Sequence, residues 1–229
     1  MRTRACRVRE LGQAVTRNGL LLAGFALLAT LLVAGTYLGT RDDIAAARRA
    51  AEEKALLQIL SRAEHDNSML DDRLPAPPAD PLLRLPEPRS IYRARRDGRV
   101  VAVILPAHAP DGYSGTIELL VGVERSGRIA GVRVLKHRET PGLGDAIDHR
   151  KSDWIEEFRG RSLGDPPLEG WTVSKDGGAF DAFTGATITP RAVIRATARA
   201  LQFVDRHHED IFRATPADSL AAAPRSGGE

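Results

Sequence analysis

The sequence is poor in several residue types that define common protein classes. Cysteine occurs once among the 229 residues, as Cys6, so an intrachain disulfide is excluded. Positive and negative charges nearly cancel, with 33 lysines and arginines against 30 acidic residues. Residues 1–18 hold five arginines and one glutamate, an excess larger than the net charge of +3 for the whole chain. The basic balance is therefore local to the N-terminus and does not support binding to nucleic acid.

The sequence also lacks histidines at the spacing of metal ligands. His207 and His208 are adjacent, whereas two ligands on one helix face are separated by a full turn, and His137 stands alone beside a glycine-rich loop. No set of serine, histidine and aspartate accompanies the hydroxyl residues described below. The sequence therefore predicts neither a metal site nor a catalytic residue.

One uncharged apolar run extends from Gly19 to Gly39. As a helix it spans roughly 30 Å, enough to cross the hydrocarbon core of a bilayer. A cleaved signal peptide is the alternative, but its apolar region usually has about 7–15 residues, so we interpret residues 19–39 as a retained transmembrane helix. The arginines before it place residues 1–18 in the cytoplasm and the larger part of the chain in the periplasm, at the inner membrane of a Gram-negative cell.

The segment after the predicted transmembrane helix has two parts that differ in composition. Residues 41–65 have apolar positions at helical spacing and predict a juxtamembrane helix. Six prolines between Pro75 and Pro88 exclude a regular helix and predict an extended surface connection. The predicted organisation is a juxtamembrane helix and Pro-rich connection, a folded periplasmic domain and a disordered tail, at residues 40–89, 90–212 and 213–229.

Strand signals dominate the first half of the predicted domain. Asp97-Gly98 is typical of a β-hairpin turn, and the strands it separates are followed by a second pair. Consecutive strands joined by short turns predict an antiparallel sheet, so the fold class is α+β, an antiparallel sheet with packed helices preceded by one transmembrane helix. A helix is predicted over 145–158, with aromatic residues that are more typical of a core than of a cofactor stack. The predicted strands are residues 91–95, 100–105, 116–123 and 129–135.

A hydroxyl-rich stretch leads into a second predicted helix at residues 189–208. Thr189 is the predicted N-cap, and Pro190 suits the first turn. Thr187 then precedes a helix N-terminus, where free backbone N–H groups favour an anion such as phosphate. Gly185 allows the close approach of a ligand. An ordinary helix cap has the same composition, so these residues alone leave both interpretations open.

The motif Asp-x-x-(Ser/Thr)-Gly-Ala-Thr, read from Asp181 to Thr187, resembles the signature of the covalent FMN-binding domain family. This family includes the C subunit of the sodium-pumping NADH:quinone reductase and the G subunit of the Rnf (Rsx) electron transport complex. The resemblance implies that Thr187 carries FMN through a phosphoester, with Thr184, Gly185 and Ala186 as its neighbours. It also implies a separate flavin transferase that uses FAD, in keeping with the poor nucleophilicity of an alcohol at neutral pH.

Two further segments resemble the Rnf branch of this family. The first reads Glu-Thr-Pro-Gly-Leu-Gly and by resemblance helps to form the flavin pocket through Glu139, Thr140, Leu143 and Gly144. The second, Lys-Asp-Gly-Gly-x-Phe-Asp, leads into the threonine motif. Its Lys175 is either a cation for the phosphate or the reduced flavin, or a solvated turn lysine. Together these segments favour the Rnf branch over the sodium-pumping branch.

The resemblance implies an electron-carrying flavoprotein subunit of a membrane complex that couples electron transfer between ferredoxin and NAD to ion translocation, with little turnover by itself. Its implied partners are the membrane, the iron–sulfur and flavin subunits of the Rnf/Rsx complex, and the flavin transferase. Two alternatives stay open: a component like the flavin-carrying C subunit of the sodium pump, and a non-redox, anchored periplasmic scaffold whose threonine turn is only structural. A covalent mass shift separates the carrier from the scaffold.

Overall fold

The computed structural model describes residues 2–78 and 80–213, and the chain divides into two compact units, Met1–Ala51 and Glu52–Glu229. The tail that is predicted to be disordered lies outside the described residues, except for Arg213. All strands and the C-terminal helices belong to the second unit.

The N-terminal helix α1, Arg2–Leu57, contains the predicted transmembrane segment. Within the described part of the chain it is the one helix that is long and apolar enough to cross a membrane, with a mean hydropathy of 2.1 over its most apolar stretch. None of that stretch is buried in the protein, and Leu20 is 74% exposed. Length and composition therefore agree with an anchor. The predicted juxtamembrane helix continues α1 but ends at Leu57, not near residue 65.

Five strands form one antiparallel sheet in which each strand pairs with its neighbour in the chain. Asp97 and Gly98 have φ values of 52° and 73°, as the tight turn between the second and third strands requires. The four predicted strands and the α+β class are confirmed. The strands are β1 Arg73–Ala76, β2 Arg89–Arg96, β3 Arg99–Ala109, β4 Ile117–Glu124 and β5 Ile129–Lys136.

Strand β1 lies in the Pro-rich segment, where the sequence pattern predicts no strand. It pairs with β2 at the edge of the sheet, where the N–H missing at Pro75 is tolerated. Leu74, Leu83 and Leu85 are buried in the main core. The Pro-rich segment is therefore packed into the folded domain, in contrast to the surface connection expected for it.

Both faces of the sheet are covered. Along β3, alternation sends Val103 to one face and Ile104 to the other. The first face packs on helix α2, Ile188–Arg206, whose apolar side is buried. The second face is covered by Ile59 and Leu60, which follow α1 directly. The C-terminal helix expected from the sequence is confirmed, and a short helix α3, His208–Ile211, follows it.

The helix predicted over 145–158 does not form. The segment instead contains two short 3-10 helices, Gly144–Ile147 and Trp154–Phe158. Between them the carboxylate of Asp148 accepts hydrogen bonds from the backbone N–H and the guanidinium of Arg150, at 3.0 Å each. Such local side-chain bonds compete with helical hydrogen bonds, which explains the break. Both aromatic residues of the second 3-10 helix are buried, as core residues should be.

Candidate functional site

The segment before α2 is a tight turn held against aromatic side chains. Phe183 and Ala186 form a bridge, closed by a hydrogen bond from the N–H of Ala186 to the carbonyl of Phe183 at 3.3 Å. Gly185 has a φ of +81°, a conformation that glycine adopts without strain. Trp154 packs edge-on against Phe183 at 4.9 Å between ring centroids and donates from Nε1 to the carbonyl of Asp181 at 2.9 Å. Trp154 thus holds the turn in place through packing and a hydrogen bond.

Helix α2 begins at Ile188, so Thr187 occupies the N-cap position. The prediction that Thr189 is the N-cap is wrong: Thr189 lies in the first turn, is 1% exposed and donates its hydroxyl hydrogen bond to Glu139. Thr187 makes no side-chain capping bond. Its hydroxyl is therefore not committed to the helix, although it stands where first-turn N–H groups lack helical partners.

A cavity of about 300 Å³ opens beside this helix start. Its wall comes from three segments that are distant in sequence: the loop between β3 and β4, the loop that follows β5, and the start of α2. The volume is at the lower end of the range found for ligand pockets. The lining residues are Tyr113, Glu139, Thr140, Leu143, Gly144, Gly185, Ala186, Thr187, Ile188 and Thr189.

The structure brings most of the residues singled out in the sequence to this cavity. Thr184 is exposed at the tip of the turn and does not line it. Lys175 also stays outside, exposed in the short 3-10 turn Ser174–Asp176. The predicted residues that do line it are Glu139, Thr140, Leu143, Gly144, Gly185, Ala186 and Thr187.

Sequence reasoning missed three lining residues: Tyr113, Ile188 and Thr189. For Tyr113 a signal was present, because an aromatic residue with glycines on either side, in Gly112 to Gly115, is unusual for a plain connection between strands. For Ile188 and Thr189 no such signal existed, since their place follows from where α2 begins.

Glu139 is 4% exposed and joins the three segments of the wall. Its Oε1 accepts a hydrogen bond from the backbone N–H of Ser114 at 3.0 Å. Its Oε2 accepts a hydrogen bond from the hydroxyl of Thr189. The carboxylate therefore links the loop that carries Tyr113, its own loop and the start of α2.

The cavity wall presents exposed apolar surface. In the described part of residues 52–213, five large apolar side chains are exposed, and three of these line the cavity. They are Tyr113, Leu143 and Ile188, with exposed fractions of 67%, 44% and 47%. Clustered exposed apolar groups indicate a binding site, and their combination with hydroxyls and free N–H groups suits a flat ring that carries a phosphate.

Charged side chains form hydrogen bonds in the segments next to the cavity, whereas the described residues of its wall include no lysine or arginine. Arg191 in α2 donates to both oxygens of Asp176, at 2.6 and 2.8 Å, and these bonds lower the pKa of Asp176. Burial raises the pKa of Glu157, which accepts a hydrogen bond from the N–H of Asp181 at 3.0 Å. The favourable field for an anion in the cavity comes from the start of α2.

Two family models match the chain. The FMN-binding domain matches residues 112–202, and the RnfG N-terminal region matches residues 6–59. The first match contains every residue that lines the cavity.

Curated relatives extend the match over most of the chain. The G subunit of the ion-translocating oxidoreductase complex of Pseudomonas aeruginosa is 52% identical over 200 residues, which cover 87% of this chain and 93% of that protein. The protein of the same name from Vibrio vulnificus is 43% identical over 199 residues, covering 87% and 93%. That from Pseudoalteromonas atlantica is 43% identical over 203 residues, covering 89% and 94%.

Proposed function

This chain belongs to the family formed by the G subunits of ion-translocating oxidoreductase complexes, and from that membership we propose how it holds its cofactor. It is an FMN-binding electron-transfer subunit of such a complex, which supplies its other subunits as partners. We propose that FMN is attached covalently, through a phosphoester to Thr187.

The state of the Thr187 hydroxyl carries this proposal. It stands at the N-cap of a 19-residue helix, lines the cavity and makes no capping bond. The first-turn N–H groups of α2 supply hydrogen-bond donors for the phosphate. Of the neighbouring hydroxyls, that of Thr189 is committed to Glu139 and that of Thr184 lies outside the cavity.

The remaining wall fits the rest of the cofactor. Tyr113, Leu143 and Ile188 offer apolar surface to the flavin ring, and Thr140 adds a hydroxyl at the rim. When bound, FMN supplies the ability to accept and donate electrons, and the protein sets its position and surroundings.

Attachment requires help from outside the chain. An alcohol needs a base or a metal ion to act as a nucleophile at neutral pH. The one carboxylate among the described lining residues, Glu139, already accepts two hydrogen bonds from the protein. We therefore propose a separate flavin transferase as the maturation partner.

Intact mass spectrometry tests the attachment. Wild-type protein from its native membrane, or made together with a flavin transferase, is expected to gain the mass of one FMN less one water. Thr187→Ala is expected to lose this gain, whereas Thr187→Ser, which keeps a hydroxyl, retains it. Fragmentation of the peptide 176–191 separates Thr184, Thr187 and Thr189 as attachment points. An unmodified wild type, under conditions that modify another member of the family, contradicts the proposal.

A further inference from the structure

The carboxylate of Glu139 is enclosed on two sides by backbone. A Cβ placed on Gly112 would lie 3.0 Å from its Oε1, and a Cβ placed on Gly144 would lie 3.0 Å from its Oε2. Its two hydrogen-bond donors, a backbone N–H from Ser114 and the hydroxyl of Thr189, are both neutral. The group is therefore held in one place at the cavity wall, and its charge is not neutralised by these partners.

A fixed charge at a flavin site acts differently on the two redox states. Two-electron reduction with uptake of one proton leaves the flavin with one more negative charge than the oxidised form. A buried carboxylate repels that added charge more strongly than one in water, because the low local dielectric weakens screening. Neither Lys175 nor Arg191 lines the cavity to offset it.

From this arrangement we infer that Glu139 is a redox-tuning residue, which disfavours the reduced flavin and lowers the midpoint potential of the bound FMN. The inference rests on the proposed function, because it requires FMN in this cavity. It assigns to Glu139 a role beyond shaping the pocket. The hydrogen bonds fix the position of the carboxylate, and its negative charge shifts the equilibrium between oxidised and reduced flavin.

The test compares midpoint potentials of the flavinylated full-length protein, reduced with dithionite, which supplies the electrons while solvent supplies the proton. Glu139→Gln keeps the shape of the side chain and removes the charge. We expect the preference for the reduced state to increase about tenfold, which corresponds to about 30 mV for a two-electron couple. Asp80→Asn is the matched control, since Asp80 is a partly buried carboxylate that accepts a backbone N–H, from Leu82 at 2.8 Å, but lies outside both the cavity and the turn that precedes Thr187. Its potential is expected to equal that of the wild type.

Equal potentials for the wild type and Glu139→Gln contradict the inference, as does the same shift in both variants. If Glu139→Gln acquires too little covalent flavin for a titration, free FMN is bound instead to Thr187→Ala, with and without Glu139→Gln. The ratio of dissociation constants for oxidised and reduced FMN then gives the same comparison, with the same tenfold change expected and an unchanged ratio counting against it. Failure of the proposed function is distinguishable, because it appears as the absence of the FMN mass from wild-type protein.

Discussion

At the scale of single residues, Gly144 is the point where the cavity wall has no spare room. A Cβ at this position would stand 2.8 Å from the hydroxyl of Thr189 and 3.0 Å from Oε2 of Glu139. Both side chains are buried and hydrogen-bonded to each other, so a movement of either one would weaken this hydrogen bond. The glycine is needed for close packing, and Gly142, with a φ of +75°, is needed for the turn itself.

We expect Gly144→Ala to lower the free energy of unfolding by about 1–3 kcal/mol, the range for inserting a methyl group into packed structure. For a domain of this size, that corresponds to a fall in Tm of about 2–4 °C per kcal/mol. The measurement is thermal unfolding of the purified full-length protein. Gly164→Ala is the control, because a Cβ at that loop glycine meets nothing within 4 Å. Equal Tm values for the two variants would contradict the prediction and show that the residues around Gly144 can move aside for a methyl group.

The three hydroxyls of the motif illustrate what sequence pattern cannot resolve at this scale. Thr184, Thr187 and Thr189 are alike in chemistry and lie within six residues. Their environments differ because α2 begins two residues earlier than the capping pattern predicts, which buries Thr189 against Glu139. Capping rules operate on local sequence, whereas Glu139 comes from a loop 50 residues away. The resemblance to a family, rather than the rules of helix capping, singles out Thr187 in the sequence.

At the scale of elements, the sheet depends on the chain that follows α1 to cover one of its faces. Ile59 is 1% exposed and lies over Gly122 and Gly131, which face each other across β4 and β5. A Cβ on Gly122 would stand 2.3 Å from Cγ2 of Ile59. The paired glycines leave a recess in the sheet that the isoleucine side chain fills.

We expect Ile59→Ala to destabilise the domain by about 2–5 kcal/mol, as for other large-to-small core substitutions. Gly122→Ala alone should also destabilise it, because the new methyl group collides with Ile59. The double variant should be more stable than the sum of the single effects predicts, since shortening Ile59 removes the collision. Denaturant unfolding of the three variants gives the coupling, with Leu168→Ala, at an exposed position, as the control. Additive effects would contradict direct packing of Ile59 on Gly122.

The elements that could be predicted from the sequence are those whose signals lie within their own segment. Strands β2 to β5 and helix α2 were predictable, because alternation, tight turns and helical spacing are all contained within each segment. Strand β1 could not be predicted, because prolines are compatible with a strand only at the edge of a sheet, and the sequence does not reveal that edge position. The broken segment 145–158 has helical spacing of apolar residues. Hydrogen bonds from Arg150 to Asp148, which spacing does not reveal, interrupt it.

At the scale of the whole molecule, the apolar helix α1 and the folded domain fit a single-pass membrane protein within a membrane complex. Which side of the membrane holds the domain is a separate question. The five arginines and one glutamate of residues 1–18 support a cytoplasmic N-terminus and a periplasmic domain. We propose this orientation for the native protein.

Reporter fusions after residue 213 test the orientation. Alkaline phosphatase, which folds only outside the cytoplasm, is expected to be active there, and green fluorescent protein exported through the same pathway is expected to be dark. Replacing the five arginines before Gly19 by neutral residues should reduce the phosphatase signal, because the charge asymmetry is lost. A bright fluorescent fusion with an inactive phosphatase fusion would place the domain in the cytoplasm.

The aromatic cluster behind the attachment turn also gives the protein an optical label of its own. The chain has two tryptophans, Trp154 and Trp171, and both belong to this cluster through Phe158. Their emission therefore originates in one region of the domain, next to the turn that precedes Thr187. Since the absorption of oxidised flavin overlaps the emission of tryptophan, quenching of this fluorescence reports cofactor loading of the purified, unlabelled protein in real time.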